Sequence, residues 1–171
     1  MLEKAALPLL LQKTIDLVYH PNSFQCSQLQ IVPECREYSG YQFKLNSLSI
    51  QFRIAKITPT KIGQFVTLWK RIGQGPIQPY DASDHIDFVV ICTQKDNQFG
   101  QFVFPKSVLL DNDIFSHHNQ GGKRALRVYP RWDQSSSKQA QKTQSWQLKY
   151  FLEMPNLQSV DHQLVRTLYQ F

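Results

Sequence analysis

The residues of this sequence that could do chemistry are mainly cations. Between Tyr38 and Tyr80 the chain has no aspartate or glutamate, yet six lysines and arginines lie there: Lys44, Arg53, Lys56, Lys61, Lys70 and Arg71. A second acid-free segment, from His117 to Trp132, contains Lys123, Arg124, Arg127 and Arg131. Cations gathered without acids repel one another unless an anion lies between them. The two segments therefore predict a basic surface for an anion; the alternative is two solvated surfaces whose acids come from other elements.

The strand end that follows Phe52 is the best candidate for the anion site. Arg53 lies on the strand face opposite Phe52 and is expected to project away from the core. Lys56, Thr58 and Lys61 come next, in a turn with free backbone N–H groups, and phosphate is bound by such donors. The predicted phosphate-binding residues are Arg53, Lys56, Thr58, Lys61, Lys70, Arg71, Lys123 and Arg127.

Hydrophobic patterning predicts a mixed α/β (α+β) fold. Apolar and polar residues alternate over 41–45 and 48–54, which predicts a hairpin, and the apolar run 86–91 is typical of a strand buried on both faces. Further elements are predicted as helices at about 2–19, 137–153 and 160–169, strands at 62–72, 101–104 and 125–129, and a loop at 111–124. We expect a central mixed sheet of about five to six strands flanked by helices, in one domain spanning residues 1–171.

Composition narrows the classes of protein. The net charge of +6 weakly favours polyanionic partners. The three cysteines form no CxxC pair, which argues against a disulfide framework or a zinc site and fits a reducing cytoplasm. No stretch reaches the roughly 18 to 20 apolar residues of a transmembrane helix, so we expect a soluble cytoplasmic protein without a membrane partner.

Specific nucleic-acid motifs are missing from the sequence. It has no RNP1 signature, zinc-finger spacing or Walker motif, so nothing supports base-specific readout. Trp69, Tyr80 and Trp132 adjoin basic residues and can stack on a base, although packing in the core is the commoner role of such rings.

Several motifs resemble those of MepB-like proteins. They include Phe52-Arg53-x-Ala55-Lys56-x-Thr58-Pro59-x-Lys61-x-Gly63-Gln64-Phe65-Val66-x-x-Trp69-Lys70-Arg71, Gly100-Gln101-Phe102-x-Phe104-Pro105-Lys106 and Thr143-Gln144-x-Trp146-Gln147, and the likeness extends over residues 37–151. The resemblance implies a fold related to restriction-endonuclease-like α/β domains, with nucleic acid as a partner. It implies no particular activity and no cofactor.

Catalysis remains the alternative. A nuclease of that fold would need an acidic-x-Lys strand end to hold a divalent metal and activate water, but here the matching residues are Ile54-Ala55-Lys56, with an apolar residue in the acidic position. A divergent metal-dependent nuclease, or another enzyme acting on a phosphate-bearing substrate, would have to use Asp84, Asp87 or Glu37. The commoner role of such acids is to cap a turn or to pair with the cations of the basic surface. The sequence therefore predicts a nucleic-acid or polyanion binder, with no catalytic or metal-binding residue assigned.

Overall fold

The structure, a computed structural model, describes residues 6–171. Its helices are α1 (Leu9–Thr14), α2 (Lys106–Asp111), α3 (Lys138–Gln147) and α4 (His162–Tyr169). Its strands are β1 (Cys26–Ile31), β2 (Tyr41–Leu45), β3 (Leu48–Ile54), β4 (Lys56–Ile57), β5 (Gln64–Thr67), β6 (Lys70–Arg71), β7 (Ile77–Gln78), β8 (Phe88–Lys95), β9 (Gln98–Pro105), β10 (Ala125–Val128) and β11 (Phe151–Glu153). A π-helical turn, Ile15–Tyr19, continues α1.

The main sheet has six strands in the order β1-β2-β3-β8-β9-β11. β3 and β8 run parallel, and the other neighbours are antiparallel. The turn between β2 and β3 places Asn46 at φ +53°, a left-handed conformation that asparagine tolerates better than most residues. Parallel strands need a long crossover connection, and here residues 55–87 form it and contain the short strands β4 to β7.

Two hydrophobic cores lie on opposite faces of the main sheet. On one face, Leu11 from α1 and Val165 from α4 pack in the same core as Phe52 of β3. On the other face, the three-stranded sheet β10-β5-β4 contributes Val66 and Val128 to the second core. Residues 88–93 of β8 lie between the two cores and are all buried, as a strand covered on both faces requires.

The mixed α+β architecture and the predicted hairpin, formed by β2 and β3, are confirmed, and the strands predicted at 86–91 and 101–104 lie in β8 and β9, which pair as a second hairpin. The strand at 125–129 and the final helix are also present, as β10 and α4. The predicted strand at 62–72 is divided into β5 and β6, and the helix predicted from residue 2 is α-helical from Leu9; residues 1–5 lie outside the described residues. β1 escapes the sequence analysis because a bulge between Ser27 and Gln30 breaks the alternation of its side chains.

The helix predicted at 137–153 is wrong at its C-terminal end. α3 ends at Gln147, and after a 3-10 turn the chain forms β11, which pairs with β9. A Cβ at Gly100 of β9 would overlap the ring of Phe151. The glycine therefore leaves the space that lets this aromatic ring lie across the sheet edge.

Within residues 6–171, no helix combines the length and the apolar character needed to cross a membrane.

Candidate functional site

The side chain of Arg53 is fully buried, so the expectation that it projects away from the core is wrong. Its Nη1 donates to the carbonyl oxygen of Phe52 at 2.8 Å and to Oε1 of Gln51 at 3.1 Å. Its Nη2 donates to the hydroxyl of Tyr80 at 3.4 Å. Strand alternation correctly places Arg53 opposite Phe52, but the second core covers that face of β3. Arg53 therefore lies inside the protein rather than on an anion-binding surface.

Three further predicted cations already have carboxylate partners. The pairs are Lys56 with Glu37 at 3.3 Å, Lys70 with Asp84 at 2.6 Å, and Arg71 with Glu34 at 3.6 Å. The partners flank the acid-free segment on both sides, which is the alternative arrangement that the sequence left open. Because each of these cations is next to a carboxylate, this part of the surface attracts a second anion less strongly than its cation content suggests.

The remaining predicted cations meet in a groove between the three-stranded sheet and α3. Lys61, Lys123 and Arg127 line it together with Lys142 of α3, and its volume is about 620 Å³. No aspartate or glutamate is among its lining residues. None of the ion pairs formed within residues 6–171 involves these four side chains. We call this cavity the basic groove.

Arg127 is held in position by neighbours on one side of its guanidinium group. Its Nη1 donates to Oγ1 of Thr58 at 2.9 Å and to the carbonyl oxygen of Gly63 at 3.2 Å. The group lies 5.8 Å from the centre of the Phe65 ring. Its Nε and Nη2 make no hydrogen bond to any residue in the described part of the chain. These two donors remain for a ligand, while Thr58, predicted to contact phosphate, positions the arginine.

Two glutamines tie α3 to the strand opposite it. Gln147 accepts a hydrogen bond from the backbone N–H of Tyr129 at 2.9 Å and donates one to the carbonyl oxygen of Arg127 at 3.0 Å. Gln144 donates to the carbonyl oxygens of Pro130 at 2.9 Å and Asp133 at 2.8 Å. The Thr143-Gln144-x-Trp146-Gln147 motif thus fixes the separation of the two walls of the basic groove.

The loop that carries Lys61 is packed against the same strand through Gly63. This glycine has φ +83°, and a Cβ there would come within 2.7 Å of the Tyr129 ring and 2.9 Å of the Val128 carbonyl oxygen. Both the left-handed backbone and the close approach require glycine. The loop is therefore held against β10, which keeps Lys61 at the edge of the basic groove.

Sequence reasoning missed Lys142 and Trp146 as site residues, although a signal for them exists. Residues 134–152 form a third segment without aspartate or glutamate, and Lys142 and Trp146 lie on α3, four residues apart, where both line the groove. Of the aromatic residues singled out from the sequence, Tyr80 is buried and Trp132 has a buried indole N–H, and neither lines the groove.

The carboxylates considered for catalysis make other contacts. Asp84 accepts from Lys70 and from the backbone N–H of Asp81 at 2.7 Å, and Asp87 accepts from the backbone N–H of Ser49 at 2.7 Å. Asp84 is thus a partner for a cation, and both acids cap backbone N–H groups, as one reading of the sequence held. Within residues 6–171, no three side chains of His, Cys, Asp or Glu come together as metal ligands.

The carboxylate of Asp81 accepts four hydrogen bonds. The backbone N–H of Asn119 and the hydroxyl of Ser116 donate to its Oδ1, at 2.9 and 2.7 Å, and Ser83 donates twice to its Oδ2. These bonds, led by that from Asn119, hold the pKa of the Asp81 carboxyl well below its usual range. The ionised carboxylate of Asp81 therefore holds the 116–119 loop against the crossover connection, residues 55–87.

Comparison with known proteins gives one family and one structural neighbour. A family model described as MepB-like matches residues 33–153. A crystal structure of MepB is 35% identical to this chain, with a TM-score of 0.72, over 75% of this chain and 86% of that one. None of the curated proteins matches the chain.

Proposed function

The chain belongs to the MepB-like family, and we propose that it is a nucleic-acid-binding protein whose phosphate contacts lie in the basic groove. The resemblance read from the motifs is confirmed. The implied relation to restriction endonucleases stays a prediction. The observation that carries the proposal is the convergence of four cations without carboxylate partners in one groove that no acid lines.

The electrostatics of the groove support this proposal. Lys61, Lys123, Arg127 and Lys142 come from three separate stretches of the chain, so their gathering is a property of the fold. A cleft lined by one sign of charge concentrates ions of the opposite sign. Four like charges that line one groove repel one another. The binding of a polyanion, or of several small anions, relieves this repulsion and is therefore favourable.

The geometry of Arg127 supports phosphate in particular. An arginine whose Nη1 is already bound, and whose Nε and Nη2 are not, presents two parallel N–H donors in a fixed plane. Two oxygens of one phosphate match such a fork. Because Thr58 and Phe65 already restrict the side chain, less rotamer entropy is lost when the ligand binds.

We propose binding without assigning a reaction. The position that would carry the acid of an acidic-x-Lys strand end is Ile54, which packs against the first core. The acids nearest to the predicted cations are occupied by Lys56, Lys70 and backbone N–H groups. The contacts of these acids within the described residues therefore do not support the nuclease alternative.

Fluorescence anisotropy with a labelled oligonucleotide tests the proposal. We expect wild-type binding at about 50 mM salt, and Arg127→Gln should weaken it about 10- to 150-fold, the range for losing a hydrogen bond to a charged group of about 1.5–3 kcal/mol. Arg71→Gln is the matched control, because Arg71 is paired with Glu34, and it should leave the affinity nearly unchanged. Thermal unfolding of both variants establishes that they fold. If the wild-type protein binds no oligonucleotide at low salt, the proposal is wrong.

A further inference from the structure

Trp146 lines the basic groove and also packs against the second core. It lies on α3 one turn after Lys142, so the two side chains project from the same face of the helix. Both line the groove, and Trp146 is half-buried. Its ring packs against Phe104 of the second core, with 5.4 Å between ring centres. The indole is therefore fixed by the core while part of its surface remains open to the groove.

The other two tryptophans have different surroundings. Trp132 packs edge-on against Phe151 at 5.7 Å and has a buried indole N–H. Trp69 lies 5.7 Å from the guanidinium group of Arg71, which is itself paired with an acid. Trp146 is thus the tryptophan placed beside cations that have no carboxylate partner.

The shape of the site distinguishes between forms of nucleic acid. Duplexes present their phosphates on a convex cylinder and are read by protein elements that protrude into their grooves. Here the cations line a concavity of about 620 Å³, a size typical of clefts for small ligands. A concavity of this size matches the sugar-phosphate chain and one unstacked base of a single strand more closely than it matches the wide cylinder of a duplex.

We infer that the basic groove binds single-stranded nucleic acid, with one base stacked on Trp146 and the adjacent phosphates held by Arg127 and Lys142. This inference rests on the proposed function and specifies its ligand. A rigid aromatic ring between cations is the usual way of holding a single strand without sequence preference, because every base has a π face. The groove therefore favours single strands over duplexes and tolerates many sequences.

Two sets of binding measurements test this inference. The first compares a labelled single strand with a duplex of the same sequence, by anisotropy at low salt. We expect tighter binding of the single strand, and Trp146→Leu should weaken that binding about 5- to 150-fold, the range for one lost stacking contact. Trp146→Phe keeps an aromatic face and should lose less. Trp132→Phe is the control and should change neither affinity.

Tryptophan fluorescence gives a second readout, which does not depend on whether the Trp146→Leu protein folds. A Trp69→Phe/Trp132→Phe protein has Trp146 as its sole tryptophan, because the chain contains three. Addition of an unlabelled single strand should quench its emission and protect it from acrylamide. If the duplex binds as tightly as the single strand and Trp146 emission is unchanged, the inference is wrong while the proposed function stands. If neither nucleic acid binds, both are wrong.

Discussion

The salt dependence of binding can be worked out from the groove. Four cations without carboxylate partners line it, and each phosphate contact to a single strand contributes about −0.7 to the slope of log affinity against log salt concentration. Four contacts give a slope of about −2.8, which corresponds to a roughly 50-fold loss of affinity between 50 and 200 mM salt. Lys142→Gln removes one contact, so the slope should become about −2.1 and the loss about 20-fold.

Lys142 suits this test because its charge can be removed with little effect on the fold. It is exposed on α3 and forms none of the ion pairs found within residues 6–171. Lys138 provides a matched control, since it lies one turn earlier on the same helix, is also exposed and does not line the groove. Lys138→Gln makes the same change in net charge and should leave the slope close to the wild-type value.

The measurement is a set of anisotropy titrations with a labelled single strand at four or more salt concentrations. Equal slopes for Lys138→Gln and Lys142→Gln would refute the reasoning, because the slope would then report net charge rather than contacts in the basic groove. A wild-type slope near zero would show that the ligand is not held through its phosphates.

Three further predictions concern the framework of the site. Gly63→Ala should lower the free energy of unfolding by about 1–3 kcal/mol and by more than Gly73→Ala in urea titrations, because Gly73 has φ +58° but open space around it; equal losses would contradict the role of the Tyr129 contact. Gln147→Leu removes the partner of the Arg127 carbonyl oxygen and of the Tyr129 N–H and should lower stability by about 1–3 kcal/mol per group; an unchanged unfolding midpoint would contradict this. Asp81 has a lowered pKa, so its contribution is complete above about pH 4 and is lost as the pH falls toward the lowered pKa; Asp81→Asn should flatten the acid limb of stability measured by urea unfolding, and an equally steep limb would contradict the assignment.

Local sequence patterns predicted β2, β3, β8, β9 and β10 but missed β1 and β11. Arg53 shows a further limit of such patterns. Alternation along β3 places its side chain on the face opposite Phe52, as found. Whether that face is covered depends on distant residues: Tyr80, whose hydroxyl accepts from Arg53, belongs to the second core together with Val66 of β5 and Val128 of β10. Burial of Arg53 is therefore a consequence of layer packing, which no window around residue 53 contains.

The sequence likewise predicted only part of the candidate site. The acid-free segment contained Lys61, which lines the groove, but also Lys56 and Lys70, whose partners Glu37 and Asp84 lie just outside the segment. Counting acids inside a window cannot reveal partners at its boundaries. The fourth groove cation, Lys142, could be predicted only by knowing that α3 packs beside β10. That packing is determined by hydrogen bonds from side-chain amides, which hydrophobic periodicity does not show.

Those amides have a consequence for how the protein responds to its surroundings. Gln144 and Gln147 hold the walls of the groove together, and neutral amides neither titrate nor attract counterions as ion pairs do. The width of the groove should therefore stay constant across a wide range of pH and ionic strength. Because salt leaves the shape of the groove unchanged, the change of affinity with salt concentration should report on the contacts between cations and phosphates rather than on a rearrangement of the protein.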